Sequence, residues 1–315
     1  MTVCVAALCN NGTTIFGACD RMITAGNVQF EPPQTKIWTV TEEICLLVSG
    51  DVGLHADYFT DLQSEVRQRA LSHPGHKWRV RDIARMYLAA QTTMQAIGAE
   101  RDYLLPLGLT TATFISRQKE MSDEFAKHLA NKIINYPVPD ASVIVAGVDE
   151  QGAHLYVIEN EEITCRDPIG FAAIGTGDTH SNSHFMFSKH TRFEPGYKTL
   201  YRTYSAKRRA EVAPGVGLVT DMFAVSMGGR IVHIPPPAVE QLAGIYESYT
   251  KDTEKAATER EKQLEQLIQA QQQATEQQAK AADTPQAKSS APGDQLPETK
   301  EKKPSRIRGK KANVE

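Results

Sequence analysis

Two β-hairpins are written into the first fifty residues, ahead of any helical periodicity. Residues 3–8 form a short apolar run, Asn10-Asn11-Gly12 is a turn signal because these residue types tolerate positive φ, and residues 13–19 resume as a second strand. Residues 36–40 and 44–49 make a second pair across the polar Thr41-Glu42-Glu43. Strands joined by such turns run antiparallel, whereas a doubly wound parallel sheet needs a crossover helix after each strand. The opening of the chain therefore disfavours a doubly wound fold.

From Asp51 the period changes. Val52, Ala56, Phe59, Leu62, Val66 and Ala70 recur at helical intervals until His73-Pro74-Gly75. Val80, Ile83, Ala84, Tyr87, Leu88, Gln91, Met94 and Ile97 mark one face of a second helix. Residues 102–139 read as an elaboration with a helix over 121–134, after which strands return at 142–148, 153–158 and 171–174. Helices are expected over 179–189 and 197–211, then strands at 217–226 and 230–234. Strand pairs alternating with helix pairs predict an α+β fold, a four-layer αββα sandwich of antiparallel sheets.

That domain is expected to span 2–236. Val239, Leu242, Tyr246 and Tyr249 give one more apolar face, so only the first turns of a largely polar helix over 237–282 should pack. Residues 283–315, rich in Pro, Lys, Ser and Glu, are expected to be a disordered basic tail. The formal charge of −3 gives no strong field for nucleic acid, and the basic cluster at 302–311 reads as a solvated tail, so no nucleic-acid partner is expected. No apolar run reaches the roughly 18 residues of a membrane span and no signal-like segment opens the chain, which predicts a cytoplasmic protein without a membrane partner. Cys4, Cys9, Cys19, Cys45 and Cys165 lack paired spacing and read as reduced core residues. His180 and His184 share one helix face, but no carboxylate pattern accompanies them, so neither metal nor cofactor is expected.

The chemistry gathers at the amino terminus. An amide is a poor electrophile, and a hydroxyl that attacks one needs a base within hydrogen-bond reach and donors for the developing oxyanion. A free α-amine, with an unperturbed pKa of roughly 7.7–8.0, suits that task better than a lysine at about 10.4. Thr2 can supply both hydroxyl and amine once Met1 is removed. The chain then reads Ala18-Cys19-Asp20-Arg21, Thr35-Lys36-Ile37 and Val48-Ser49-Gly50-Asp51. Here it resembles the proteasome β-subunit and its bacterial ring-protease relatives, which are N-terminal nucleophile hydrolases. In that family an N-terminal threonine, an acid closing the second strand, a lysine sixteen residues later and a glycine fourteen beyond it form the site. Asp20, Lys36 and Gly50 keep both separations. The segment 20–27 is similar to the family's loop after the acid, and Gly175-Thr176-Gly177 to its later Gly-Ser-Gly turn.

The resemblance, which covers residues 2–234, implies that Thr2 is the nucleophile, that Lys36 tunes and orients it, that Asp20 keeps Lys36 charged, and that the Gly50 N–H faces the oxyanion. Thr176 and Glu211 match the family's supporting residues, while Pro214 stands where a serine usually supports the threonine amine. Ile23, Val48 and Val52 fall where the family lines its first specificity pocket, implying cleavage after apolar residues. A threonine peptidase acting on polypeptide inside a homo-oligomeric ring is the expectation, with any unfoldase partner left open. A small-molecule amidase or acyltransferase and a non-catalytic structural subunit are the alternatives.

Overall fold

The computed structural model describes residues 2–25, 28–137 and 140–282. Strand β1 (Cys4–Cys9) pairs antiparallel with β2 (Thr14–Asp20), setting Cys4 opposite Cys19 and Cys9 opposite Thr14. The turn between them uses left-handed backbone at Asn10, Asn11 and Gly12, with φ of 51°, 61° and 74°. Next come a small two-stranded ribbon, β3 (Ile23–Ala25) with β4 (Val28–Phe30), and a second hairpin of β5 (Ile37–Thr39) and β6 (Ile44–Gly50). The sequence expectations include no strand here, and β3 falls within the segment 20–27 likened to a loop.

Helices α1 (Val52–Ser72) and α2 (Val80–Ala99) follow, the first begun by Asp51, whose side chain accepts from the N–H groups of Gly53 and Leu54 at 2.8 and 3.2 Å. One π-helical turn at Glu100–Leu104 extends α2 into the elaboration, which holds α3 (Thr111–Arg117) and α4 (Asp123–Ile134) around a small core of Leu104, Leu109, Phe114 and Leu129. Strands β7 (Ala141–Asp149), β8 (Gly152–Glu159), β9 (Glu162–Cys165) and β10 (Phe171–Ile174) come next, then α5 (Asp178–Phe187) and α6 (Gly196–Ala210). Strands β11 (Thr220–Ser226) and β12 (Val232–His233) precede α7 (Pro236–Ala282).

These strands form two five-stranded antiparallel sheets, ordered β10-β1-β2-β11-β12 and β5-β6-β7-β8-β9. Side chains of a strand alternate between its two faces, and both faces are buried here. Cys4, Ala6 and Leu8 of β1 enter one core cluster, while Val3, Val5 and Ala7 enter another with Phe185 of α5 and Tyr204 of α6. In β6, Cys45 and Leu47 join the first cluster, while Ile44, Leu46 and Val48 meet Tyr58 and Leu62 of α1 and Ile83 and Tyr87 of α2. The first cluster thus draws on both sheets, and each of the others joins one sheet to a helix pair. Full burial of one such aliphatic side chain contributes about 1.5–3 kcal/mol. This explains why β1 and β6 read as continuous apolar runs.

The chain divides into two compact units at residues 251 and 252. Val239, Ala243 and Tyr246 of α7 pack on the cluster of α5 and α6, so the first unit runs past the boundary at 236 that the sequence suggested. The described part of the second unit is one exposed helix. The tail at 283–315 lies outside the described residues. Cys165 is exposed, unlike the four buried cysteines, because it ends the edge strand β9. Among the described residues, no helix is long and apolar enough to cross a membrane.

Candidate active site

Asp20 closes β2 and is fully buried, and its two carboxylate oxygens accept five hydrogen bonds. Oδ1 accepts from the Thr2 hydroxyl, from the Val3 N–H at 2.9 Å and from Lys36 Nζ at 3.1 Å. Oδ2 accepts from the N–H groups of Met22 and Gly217, at 2.9 and 3.0 Å. A buried carboxylate survives only when its lone pairs are matched in this way. Next to it, Arg21 forks onto Asp221 at 2.8 and 2.6 Å, tying the end of β2 to β11.

Lys36, just before β5, is also buried, and its ammonium donates to the Thr2 hydroxyl as well as to Asp20 and the Met22 carbonyl. The Thr2 hydroxyl therefore donates to a carboxylate and accepts from an ammonium. The rotamer and the lone pairs of this one side chain are fixed from both sides. Thr2 is only 2 % exposed, yet it forms part of the wall of a cleft of about 330 Å³. Lys36, Ile23, Val48, Gly50 and Val52 line the same cleft.

Gly50 ends β6 with φ of +112°, and a Cβ placed there would lie 2.1 Å from the Asp140 carbonyl oxygen. No other residue fits at that point without moving the backbone. Helix α1 starts directly after it, so the positive end of the helix dipole borders the cleft. Gly175 is also packed against Thr2. Its φ is +89°, and a Cβ there would lie 2.5 Å from the Thr2 carbonyl oxygen, which accepts from the Gly177 N–H at 3.3 Å.

Of the six residues singled out from sequence, Thr2, Asp20 and Lys36 are in direct contact, and Gly50 shares their cleft. Thr176 is exposed, and it is the flanking glycines that touch Thr2. Glu211 caps α6, where it binds Lys207 and Arg208; among the described residues no hydrogen bond joins it or Thr176 to Thr2. Pro214 is exposed.

Two buried groups escaped the sequence reading. His55 of α1 lines the cleft from behind Ser49, with Nε2 2.9 Å from the Ser49 carbonyl oxygen and Nδ1 bonded to the Tyr87 hydroxyl. Burial pushes its pKa below the ordinary histidine value. Lys207 of α6 is fully buried, and burial likewise lowers its pKa, opposed by the charge of Glu211. On an amphipathic helix, His55 reads as a polar-face residue, and Lys207 hides in the basic run Lys207-Arg208-Arg209. No family model and no curated protein matches this chain.

Proposed function

We propose that this protein is an N-terminal threonine hydrolase that cleaves peptide or amide bonds, built as a four-layer αββα sandwich of the N-terminal nucleophile type. The observation that carries the proposal is the Thr2 hydroxyl, bonded at once by the Lys36 ammonium and the Asp20 carboxylate at the wall of a cleft. The three core clusters, one shared by the sheets and one under each helix pair, support the layered reading.

With Met1 removed, the hydroxyl oxygen of Thr2 attacks the substrate carbonyl and its proton passes to the freed α-amine. The carbonyl oxygen becomes an oxyanion, stabilised by the Gly50 N–H at the mouth of α1. The amine returns the proton to the leaving nitrogen, the C–N bond breaks, and a water molecule activated by the same amine hydrolyses the ester on Thr2. Lys36 favours negative charge on the attacking oxygen, and Asp20 holds Lys36 in place. Ile23, Val48 and Val52 along the cleft support a preference for an apolar side chain before the scissile bond.

Polypeptide is the proposed substrate and a homo-oligomeric ring the proposed assembly. Exposed Phe187, Phe193 and Tyr197, which run from the end of α5 through the connecting segment to the start of α6, are apolar surface that self-association would cover. The test is chemical. Intact mass should show Met1 absent, and a peptide β-lactone should add one equivalent at Thr2. Turnover by a Thr2→Ala variant at the native rate would sink the proposal.

A further inference from the structure

Ser49 and Gly50 share one peptide group, so the carbonyl held by His55 and the N–H assigned to the oxyanion are opposite ends of the same plane. In a trans peptide these two bonds point in opposite directions. A carbonyl can only accept, so His55 Nε2 carries the proton toward Ser49 at 2.9 Å. Nδ1 is then the acceptor, and the Tyr87 hydroxyl donates to it. The tautomer of the ring is thereby fixed.

The direction of the Gly50 N–H follows from the strand. The Val48 N–H bonds the Lys36 carbonyl at 3.2 Å, and residues two apart on a strand send their N–H groups to the same edge. Gly50 therefore aims its N–H toward the edge that carries Lys36, the side of the cleft where Thr2 lies. Gly50 stands at the strand end with positive φ and no side chain, so beyond the last pairs with β7, Ser49 with Ser142 and Gly50 with Ala141, little holds the peptide. A flip of that peptide would turn the N–H away and present the Ser49 carbonyl oxygen to developing negative charge, which opposes the reaction.

We propose that His55, seated by Tyr87, is a positioning residue that locks the Ser49–Gly50 peptide with its N–H toward the oxyanion; this rests on the Thr2 hydrolase proposal. The hydrogen bond to the carbonyl also polarises the peptide and strengthens its N–H as a donor. The ring has little freedom to turn. Trp38 meets it edge-on at 6.3 Å between centroids, Tyr87 stacks at 6.2 Å, and Tyr58 packs edge-on against Tyr87 at 5.9 Å.

The test compares two probes of Thr2. A peptide β-lactone acylates the hydroxyl through an oxyanion, whereas a peptide vinyl sulfone adds to it with charge developing on carbon. In His55→Leu the β-lactone rate and kcat should fall about tenfold or more, within the 10²–10³ that loss of a whole oxyanion donor costs, with KM and the vinyl sulfone rate nearly unchanged. His55→Gln, whose amide nitrogen reaches the position of Nε2, should recover most of the loss. Tyr87→Phe, which frees the tautomer, should lose less than His55→Leu. An unchanged β-lactone rate in His55→Leu, or both probes slowed equally in the Leu and Gln variants, would overturn the positioning role. Failure of either probe to label Thr2 in the native protein would instead overturn the hydrolase proposal beneath it.

Discussion

Lys207 Nζ lies 2.6 Å from Oε1 of Glu211, the residue that caps α6 one turn later, and its other two protons go to the carbonyls of Gly217 and Leu218 at 2.8 and 2.9 Å. Gly217 in turn donates to Asp20, so the buried ion pair holds the loop that completes the Asp20 shell. The two partners are not equivalent, since the Lys207 side chain is 0 % exposed and that of Glu211 is 10 % exposed and shared with Arg208. Glu211→Leu strands a buried ammonium and should cost about 3–5 kcal/mol in urea unfolding. Lys207→Met removes the buried charge itself and should cost less. The reverse order would show that the ammonium is solvated by some other route.

Lys36→Met should leave a folded but nearly inactive protein. Asp20 keeps four of its five donors in this variant but loses its counter-charge, so the protein should still fold at a cost of up to about 3–5 kcal/mol in urea unfolding, while the Thr2 hydroxyl loses the charge beside it. Hydrolysis of fluorogenic peptides should fall by at least about 10²-fold. Native-rate turnover by a folded variant would remove Lys36 from the mechanism.

Gly175→Ala places a Cβ against the Thr2 carbonyl oxygen at a left-handed position. The strain should cost about 1–3 kcal/mol, which a domain of this size tolerates. Displacement of Thr2 should cost far more in rate, lowering kcat and the labelling of Thr2 together. Loss of stability without loss of labelling would mean that the turn yields and Thr2 does not.

His154 should give stability a pH dependence remote from the candidate site. Its Nδ1 bonds Asp167 at 2.6 Å, and Nε2 lies 3.3 Å from Asp149, an ion-pair distance without hydrogen-bond alignment. The bond to Asp167 raises its pKa above the ordinary histidine value despite opposing burial. A base whose pKa is higher in the folded state binds its proton more tightly there. Its contribution is thus complete below about pH 6.5 and is lost as pH rises through the folded-state pKa. The Tm advantage of the native protein over His154→Phe should shrink across that interval. A constant difference from pH 5.5 to 9 would show that His154 does not titrate in this way.

What could be read from the sequence follows from the range of the interactions. The β1–β2 turn, the Asp51 cap and the helical faces of α1 and α2 are local, and their residue types announce them. The intervals from Asp20 to Lys36 to Gly50 are legible because hairpins fix register. Gly217, Lys207 and His55 carry no comparable signal. A glycine that meets a carboxylate 197 positions away, or a histidine that meets a tyrosine 32 positions away, is specified by tertiary packing. Strands β3 and β4, three residues each, lie in no longer apolar run of the kind that marks β5 within 36–40, so alternation there cannot be distinguished from a loop.

The bond from Gly217 to Asp20 also sets a timetable. Synthesis proceeds from the amino end, so Thr2, Asp20 and Lys36 all emerge long before the residue 197 positions beyond Asp20 exists. Until it arrives, Oδ2 of Asp20 lacks one of its two peptide partners, and β11 is not there to align the end of β2. A nascent chain therefore carries Thr2, Asp20 and Lys36 without their finished arrangement. Under the proposed function, turnover at Thr2 therefore waits for the far end of the domain, the last part of the site to be made.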